Sequence, residues 1–462
     1  MEKIDCDICI IGAGPAGYSG AIRAAREGRK VVLVEKDRAG GTCLNRGCIP
    51  TKALRHCADV LAEVRESSKF GVTVSSYEFD YSSAHAFKKE VTEKLVGGVE
   101  KLLKTWKVET IKGEGALLKP GVVKVTAGGK TVDINSSHVV VATGSVPSEL
   151  PGIEFDGRRV VSSEGALVWE DLPSSLIVLG AGVIGCEFAD VMATFGVSVE
   201  VVEALDRILM TEDKMTARTV KKSLELKGVK FHLSSTVDGI DKDDDGVKCT
   251  ISDGSVISAE RMIVSVGRRP EVSSVAGSGA EVSEGRVLVD SGGRTSLVNV
   301  WAAGDVTGPP LLAHRASHQM EVVIDNILGK KREFDDLIPW SIFTRPEVAS
   351  VGLLEDRAKQ EGIEVEIGRF AYAGSGMALC MGTDEGFAKV VAQKGGGRIL
   401  GGTFAGLSAS DLVAELTLAI KAGVTVDEFI EVIHAHPSLP EITLEAVADV
   451  KGLSVHKAGR KR

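Results

Sequence analysis

The sequence predicts an α/β protein with two similar βαβ units and a separate C-terminal α+β domain. Two observations predict this fold. An apolar run that leads into a glycine-rich turn and a helix occurs twice, at 7–17 and 176–185. After residue 337 these glycine motifs cease, and three strand-like runs and one helix-like stretch follow: 363–370, 386–391, 399–404 and 411–422.

The first βαβ unit has the residues of a dinucleotide-binding site. A strand over 7–11 runs into Gly12, Gly14 and Gly17, an Ala-rich helix follows, and a second strand ends in Glu35. Glycines let the turn approach a pyrophosphate, the helix N-terminus favours its charge, and the acid accepts hydrogen bonds from a ribose. The glycine motif alone is a weak signal, but the complete ordered set predicts a Rossmann-like domain.

The second unit repeats the first with the same spacing. Its glycines and terminal acid are Gly180, Gly182, Gly185 and Glu203. Two complete motifs imply two dinucleotides, which suits a flavin and a nicotinamide working in relay. The charge of Glu203 would bind a free 2′-hydroxyl and repel a 2′-phosphate, so NAD is favoured over NADP. Arg207, nearby in the sequence, argues against this preference.

Two cysteines, Cys43 and Cys48, lie just after the first unit in the segment GGTCLNRGCIPTK, residues 40–52. On an ideal helix two residues five positions apart are separated by about 7.5 Å along the axis, near the limit for a disulfide. The segment must therefore bend, and Gly47 and Pro50 permit a bend. The adjacent nucleotide motif favours a redox dithiol; two unreactive buried cysteines are the alternative.

The remaining sequence limits the compartment and the partners. A formal net charge of −9 over 462 residues argues against nonspecific binding to nucleic acid or anionic membranes. No apolar run is long enough to span a bilayer and no signal peptide is apparent, so we expect a cytoplasmic protein without a metal site. The other cysteines are interpreted as packing residues: Cys6, Cys9, Cys57, Cys186, Cys249 and Cys380.

Further candidate residues follow other strand-like runs. Turns at Gly144 and at 267–270 predict chain crossings between domains, and Asp305 follows a run where its carboxylate can bind a cofactor hydroxyl. Near the C-terminus, His436 is a candidate acid–base that a carboxylate, Glu441, can orient, although an isolated His-Ala-His is more often a surface or packing feature. The Lys/Arg-rich tail after 454 is expected to fray.

With these motifs the chain resembles the disulfide-reducing pyridine nucleotide flavoproteins, and among them the dihydrolipoamide dehydrogenases, along essentially its full length. The cysteine segment and His434-Ala435-His436-Pro437 are the most specific matches. The resemblance implies four domains, for FAD, for NAD, a central domain completing the FAD site, and a C-terminal α+β dimerisation domain: 1–148, 149–269, 270–337 and 338–462.

The resemblance also implies roles for the candidate residues. Cys43 would exchange with the dithiol substrate and Cys48 would face the flavin as the charge-transfer thiolate. His436, oriented by Glu441, would be the acid–base contributed by the partner subunit, with His434 a supporting neighbour. Lys52 and Glu187 match a pair near the reactive flavin nitrogen. FAD would be held by Gly12, Gly14, Gly17, Glu35, Lys52, Gly144 and Asp305, and NAD by Gly180, Gly182, Gly185 and Glu203.

The implied reaction is oxidation of dihydrolipoamide on the lipoyl domain of a 2-oxo acid dehydrogenase or glycine cleavage complex, by a homodimer with shared active sites. An NADPH-dependent reductase of glutathione-like disulfides is the nearest alternative, and Glu203 argues against it. A different class of alternative is that the chain serves mainly as a docking subunit of the complex, with its redox site secondary. Three positions depart from the usual family pattern and bear on substrate preference and pH optimum: Arg46, Ser438 and Pro440.

Overall fold

The computed structural model describes residues 2–458, and its mixed α/β architecture is the predicted fold class. The first region contains the following elements: β1 (Glu2–Ile11), α1 (Pro15–Arg26), β2 (Val31–Glu35), α2 (Gly41–Arg46), α3 (Cys48–Glu66), α4 (Tyr81–Thr105), β3 (Glu109–Lys112), β4 (Glu114–Lys119), β5 (Val122–Ala127), β6 (Lys130–Val141) and β7 (Ser145–Pro147). The strand predicted at 7–11 begins earlier, so Cys6 lies within it.

The second region follows the same plan. It contains β8 (Val160–Ser162), α5 (Ser163–Ala166), β9 (Ser175–Leu179), α6 (Val183–Thr194), β10 (Ser198–Val202), α7 (Lys214–Leu226), β11 (Lys230–His232), β12 (Val237–Lys242), β13 (Val247–Ile251), β14 (Val256–Ala259), β15 (Arg261–Val264) and β16 (Arg268–Pro270). Both predicted βαβ units are therefore present at the predicted positions.

The remainder of the chain forms a short connecting region and a third sheet. The connecting elements are β17 (Val282–Ser283), β18 (Arg286–Val287), β19 (Val300–Ala302) and α8 (Ala313–Ile327). The C-terminal elements are β20 (Trp340–Ile342), β21 (Val348–Gly352), α9 (Glu355–Glu361), β22 (Val365–Ala371), α10 (Gly376–Cys380), β23 (Phe387–Gln393), β24 (Ile399–Ala405), α11 (Ala409–Ala422), α12 (Val426–Ile430) and α13 (Glu441–Val450).

The first sheet has the order β3-β2-β1-β6-β5-β4, and its central strands are parallel. Ile8, Cys9 and Ile10 are fully buried, as expected for a parallel strand covered on both faces. The long strand β6 pairs with β5 through its first half and with β19 through 139–141. The carboxyl ends of β1, β6 and β19 therefore meet at one edge of the sheet, where ligands of such folds bind.

The second sheet, β11-β10-β9-β15-β8, is entirely parallel. The chain leaves the first region through β7 and returns through β16, and these two strands pair antiparallel. The two predicted crossings thus lie side by side, which fixes one βαβ unit relative to the other.

The C-terminal sheet, β20-β21-β24-β23-β22, is antiparallel, and α11 and α13 pack against it. The three predicted strands and the predicted helix are present as β22, β23, β24 and α11. Within the described residues, no helix is long and apolar enough to cross a membrane.

The prediction of a frayed tail is wrong for the first residues after 454. Glu445 accepts a hydrogen bond from the Val455 backbone N–H at 3.0 Å and pairs with His456 at 2.7 Å. Lys457 Nζ reaches the carboxylate of Asp449 at 2.5 Å. Helix α13 therefore anchors this segment, and the rest of the predicted tail, 459–462, lies outside the described residues.

A buried ion pair links the second region to the C-terminal sheet. Lys389 of β23, 1 % exposed, pairs with Asp213, and its Nζ lies 3.2 Å from Glu355 Oε2.

Lys389→Met would leave Asp213 buried without its cation, so we expect a loss of about 3–5 kcal/mol in the free energy of unfolding. Chemical denaturation followed by circular dichroism measures it. Lys394→Met is the control, because the exposed Lys394–Glu364 pair contributes less than about 1 kcal/mol; equal losses would contradict the prediction.

Candidate active site

The cysteine segment bends where the sequence predicts. Helix α2 ends at Arg46, Gly47 leaves the helical conformation with φ −144° and ψ −107°, and α3 begins at Cys48. A Cβ at residue 47 would lie 3.1 Å from the Thr42 carbonyl oxygen, so a glycine suits this break. Pro50 lies in the first turn of α3, where its missing N–H breaks no helical hydrogen bond.

The bend places Cys43 in α2 and Cys48 at the first position of α3, and the two thiols affect each other's pKa. The pKa of the Cys48 thiol is lowered to about 7, chiefly because Cys43 hydrogen-bonds to its sulfur; burial opposes this shift, and the Lys52 ammonium adds to it. The same hydrogen bond, together with burial, raises the pKa of Cys43. Negative charge is therefore stabilised on Cys48, while the raised pKa of Cys43 favours the proton on Cys43.

Lys52 of α3 and Glu187 of α6 form an ion pair between the first and second regions. Lys52 Nζ lies 3.0 and 2.9 Å from the two oxygens of Glu187, whose side chain is buried. Phe343 completes the contact: its backbone N–H donates to Glu187 Oε1 at 2.9 Å, and Lys52 Nζ lies 4.4 Å from its ring centroid. Sequence reasoning missed Phe343, because nothing near it marks a partner 156 positions away.

Asp305 follows β19 at the carboxyl edge of the first sheet, beside the residues that follow β6. Ser145 Oγ donates to Asp305 Oδ2 at 2.6 Å. Arg268, on the returning strand, donates from Nε to Ser145 Oγ at 2.9 Å and from Nη2 to the Ser145 carbonyl at 2.7 Å. Gly144, with φ +75°, makes the turn before Ser145. Ser145 and Arg268 were missed as individual residues, although both lie in the two predicted crossing segments.

The first glycine motif forms a cradle that suits a pyrophosphate. A Cβ at Gly12, which has φ +101°, would lie 2.4 Å from the Ala142 carbonyl oxygen, and one at Gly17 would lie 1.7 Å from the carbonyl of Gly12. Gly14 caps α1 without a side-chain hydrogen bond, so the helix N-terminus is open to an anion. A pocket continues from this edge: Ile11, Gly12, Val34, Glu35, Lys36, Gly113, Glu114, Gly115, Thr143, Glu271, Ser273 and Ser274. These residues fit FAD.

The second glycine motif has the same construction. A Cβ at Gly180, φ +97°, would lie 2.8 Å from the Ser265 carbonyl oxygen, and one at Gly185 would lie 1.9 Å from the carbonyl of Gly180. Gly182 has open space around its Cβ position and caps α6 without a side-chain hydrogen bond. This unit is thus also suited to a pyrophosphate.

The two strand-end acids are held in the same way. Glu35 accepts from the backbone N–H of Ala13 at 2.7 Å, and Glu203 accepts from that of Ala181 at 2.6 Å. Each also accepts from the N–H two residues further on. Arg207, the feature against NAD, donates from Nη1 to the Glu212 carbonyl at 2.7 Å, so its guanidinium is engaged with the backbone.

The histidine segment forms an oriented His–Glu pair on the surface. His436 Nδ1 lies 2.9 Å from Glu441 Oε1, and the Ser438 N–H donates to Glu441 Oε2 at 2.9 Å. Burial opposes the shift, but these hydrogen bonds lower the pKa of Glu441. The His436 side chain is 79 % exposed, whereas that of His434 is buried and bonded to Glu415. Across 2–458 no hydrogen bond joins His436 to Cys43, Cys48 or Lys52.

The remaining cysteines and the three positions that depart from the family pattern lie in the following environments. Three of these cysteines are buried, as expected of packing residues: Cys9, Cys186 and Cys249. Cys380, on α10, is exposed. Arg46, the last residue of α2, pairs with Asp37. Ser438 and Pro440 shape the turn that leads into α13.

A pair of cysteines at a helix break, with two dinucleotide cradles in the same chain, defines an oxidoreductase. Residues 6–319 match the pyridine nucleotide-disulphide oxidoreductase family, and residues 338–447 match the dimerisation domain of the same family. The chain belongs to this family of FAD-dependent disulphide oxidoreductases, and its C-terminal part is a dimerisation domain.

Individual relatives match over nearly the whole chain. The chain is 39 % identical to a dihydrolipoyl dehydrogenase of Geobacillus stearothermophilus, with 98 % of each chain covered. The fold is similar to LpdA from Mycobacterium tuberculosis, with TM-score 0.90, 27 % identity and 97 % and 99 % of the two chains covered. It is also similar to the HOCl-induced flavoprotein disulfide reductase RclA from Escherichia coli, with TM-score 0.88, 28 % identity and the same coverage.

The position of Lys52 predicts how the Cys48 thiol titrates. In the reduced protein, alkylation of Cys48 should rise as pH passes about 7, because the thiolate is the reactive form. Lys52→Met removes the adjacent positive charge, raises the Cys48 pKa and moves this rise to higher pH. Mass spectrometry of the Cys48 peptide after timed alkylation gives both curves. Superimposed curves would show that Lys52 does not act on the thiol.

Proposed function

We propose that the protein is an NAD-dependent dihydrolipoamide dehydrogenase. The observation that carries this proposal is the pair Cys43 and Cys48 on either side of the helix break, one turn before the Lys52–Glu187 ion pair on α3. Relatives of that name at 39 % identity over the full length support the substrate. Glu203, held at the end of β10, supports NAD.

In the proposed reaction, the Cys43–Cys48 disulfide accepts two electrons from dihydrolipoamide. One substrate thiolate attacks Cys43, the Cys43–Cys48 bond breaks, and Cys48 leaves as the thiolate that Lys52 stabilises. The second substrate thiolate then attacks the sulfur of the substrate in the mixed disulfide, so lipoamide is released and Cys43 is left reduced. The lower pKa of Cys48 makes it the better leaving group.

Proton transfer is assigned to the partner subunit's His436. Its Nδ1 is fixed by Glu441, which leaves Nε2 to take the proton of the substrate thiol. Glu441 orients the ring and stabilises its protonated form. The dimerisation domain and the exposure of the pair on one chain support a homodimer with shared sites.

FAD, when bound, supplies two-electron transfer between the Cys48 thiolate and the nicotinamide. We assign its pyrophosphate to the cradle of Gly12, Gly14 and Gly17, and its ribose and ribityl hydroxyls to Glu35 and Asp305. The turn at Gly144 shapes the same edge. Lys52, held by Glu187, places a positive charge on the flavin side of the dithiol. The second cradle, Gly180, Gly182 and Gly185 with Glu203, takes NAD.

We further propose the division into domains at 148/149, 269/270 and 337/338. The antiparallel pairing of β7 with β16 supports the first two boundaries, since the chain leaves and re-enters there. The β20 sheet, which begins at Trp340, supports the third.

The discriminating assay compares dihydrolipoamide with NAD⁺ against glutathione disulfide with NADPH. We expect turnover with the first pair only. Turnover by the purified protein without a lipoyl-bearing complex also separates this proposal from that of a docking subunit. A protein that favours glutathione disulfide and NADPH would contradict it.

Replacing the proposed base should impair the dithiol half-reaction alone. We expect His436→Gln to slow dihydrolipoamide oxidation by about 10²-fold or more, and Glu441→Gln by less, because Glu441 acts only through the ring. The control is His456→Gln, since His456 forms the same kind of pair with Glu445, one turn along α13. Stopped-flow kinetics of each half-reaction measure the effect. A wild-type dithiol half-reaction in His436→Gln would remove His436 from the mechanism.

The preference for NAD should depend on the charge of Glu203. Glu203→Gln keeps the carbonyl acceptor but removes the repulsion of a 2′-phosphate, so the kcat/KM ratio of NAD⁺ over NADP⁺ should fall about tenfold. Glu35→Gln is the matched control, because the same change in the first motif should leave the ratio unchanged. A wild-type protein that prefers NADP⁺ would overturn the assignment.

A further inference from the structure

A second ion pair joins α3 and α6 behind the Lys52–Glu187 pair. Arg55 follows Lys52 by three positions, and Asp190 follows Glu187 by three, so both pairs lie in the same helix–helix contact. Arg55 Nη1 lies 2.8 Å from Asp190 Oδ2. The Asp190 side chain is fully buried and that of Arg55 is 10 % exposed.

Asp190 is the meeting point of four segments. Besides Arg55, Lys227 at the end of α7 pairs with its Oδ1, and the Arg345 backbone N–H donates to its Oδ2 at 2.5 Å. Two cations offset the cost of burying this carboxylate. The segment 343–345 therefore donates one N–H to each α6 carboxylate, Phe343 to Glu187 and Arg345 to Asp190.

We propose that Asp190 is a positioning residue, which holds α3, α6 and the segment 343–345 in register so that the Lys52 ammonium, one turn after Cys48 on α3, stays on the side of the thiol. The inference rests on the proposed role of Lys52 in the reaction. Asp190 contacts neither thiol and acts through the helix contact alone.

The physical argument concerns the freedom of Lys52. Its side chain is 31 % exposed, and among residues 2–458 its ammonium is held by Glu187 and the Phe343 ring. The Coulomb effect of an ammonium on a thiolate falls with distance and with access of water. A shift between α3 and α6 would move Glu187 and release the Lys52 ammonium toward solvent.

Two variants separate positioning from charge. Asp190→Asn removes a negative charge, so a purely electrostatic effect would lower the Cys48 pKa; Asp190→Glu keeps the charge, so that effect would be nil. Positioning predicts a raised pKa in both, because each disturbs the register of α3 and α6. The ionisable groups facing Cys48 are Cys43, Lys52 and Glu187, and those facing Asp190 are Arg55 and Lys227.

The test measures alkylation of Cys48 against pH in the reduced, FAD-loaded full chain, by mass spectrometry of the Cys48 peptide. It uses neither dihydrolipoamide nor NAD⁺, so its outcome is independent of the proposed reaction. We expect the rate near pH 7 to fall about threefold or more in both variants, with Lys52→Met as the positive control.

Asp213→Asn is the matched control. Asp213 is also a buried carboxylate, but its ion-pair partner is Lys389 of the C-terminal sheet and not a residue of α3. Its alkylation curve should be that of the parent. A curve shifted to lower pH in Asp190→Asn, or unshifted curves in folded Asp190 variants, would overturn the proposal. If Asp190→Asn does not fold, Asp190→Glu decides alone.

Discussion

The break at Gly47 is the constraint on which the rest of the site depends. A continuous helix through 41–66 would place the two sulfurs on different faces, with about 7.5 Å between the residues along the axis. The break instead starts a new helix at Cys48, so its thiol lies at an N-terminus whose dipole favours a thiolate. The same new helix sets the register of Lys52 and Arg55, one and two turns further on.

Helix α3 then links the chemistry to the architecture. Through Lys52 and Arg55 it is tied to two carboxylates of α6, and both carboxylates accept N–H groups from the segment that follows β20. A buried carboxylate is stable only with such partners, so the three regions must dock for any of them to be satisfied. The preference for negative charge on Cys48 over Cys43 therefore depends on the packing of these three regions.

The sequence predicts the parts of the site that are local in the chain. Both glycine motifs, the strand-end acids Glu35 and Glu203, the bend at Gly47 and the C-terminal sheet strands follow from spacing and residue type. Phe343, Ser145 and Arg268 could not be found this way, because their partners are more than a hundred positions away. The basic composition of the tail near His456 predicts a frayed end, and it gives no sign of the α13 carboxylates, Glu445 and Asp449, that bind this segment.

The two chemical centres differ in how completely one chain builds them. The thiol pair and Lys52 are set by contacts within the chain, whereas the His436–Glu441 pair is oriented yet exposed. Fixing Nδ1 leaves Nε2 as the basic nitrogen, and within the described chain it has no hydrogen-bond partner. The oriented His436 ring can act as a base only if another surface brings a proton donor to its Nε2. In the proposed homodimer, folding of one chain therefore sets the thiolate, while association of two chains sets the distance from the substrate thiol to its base.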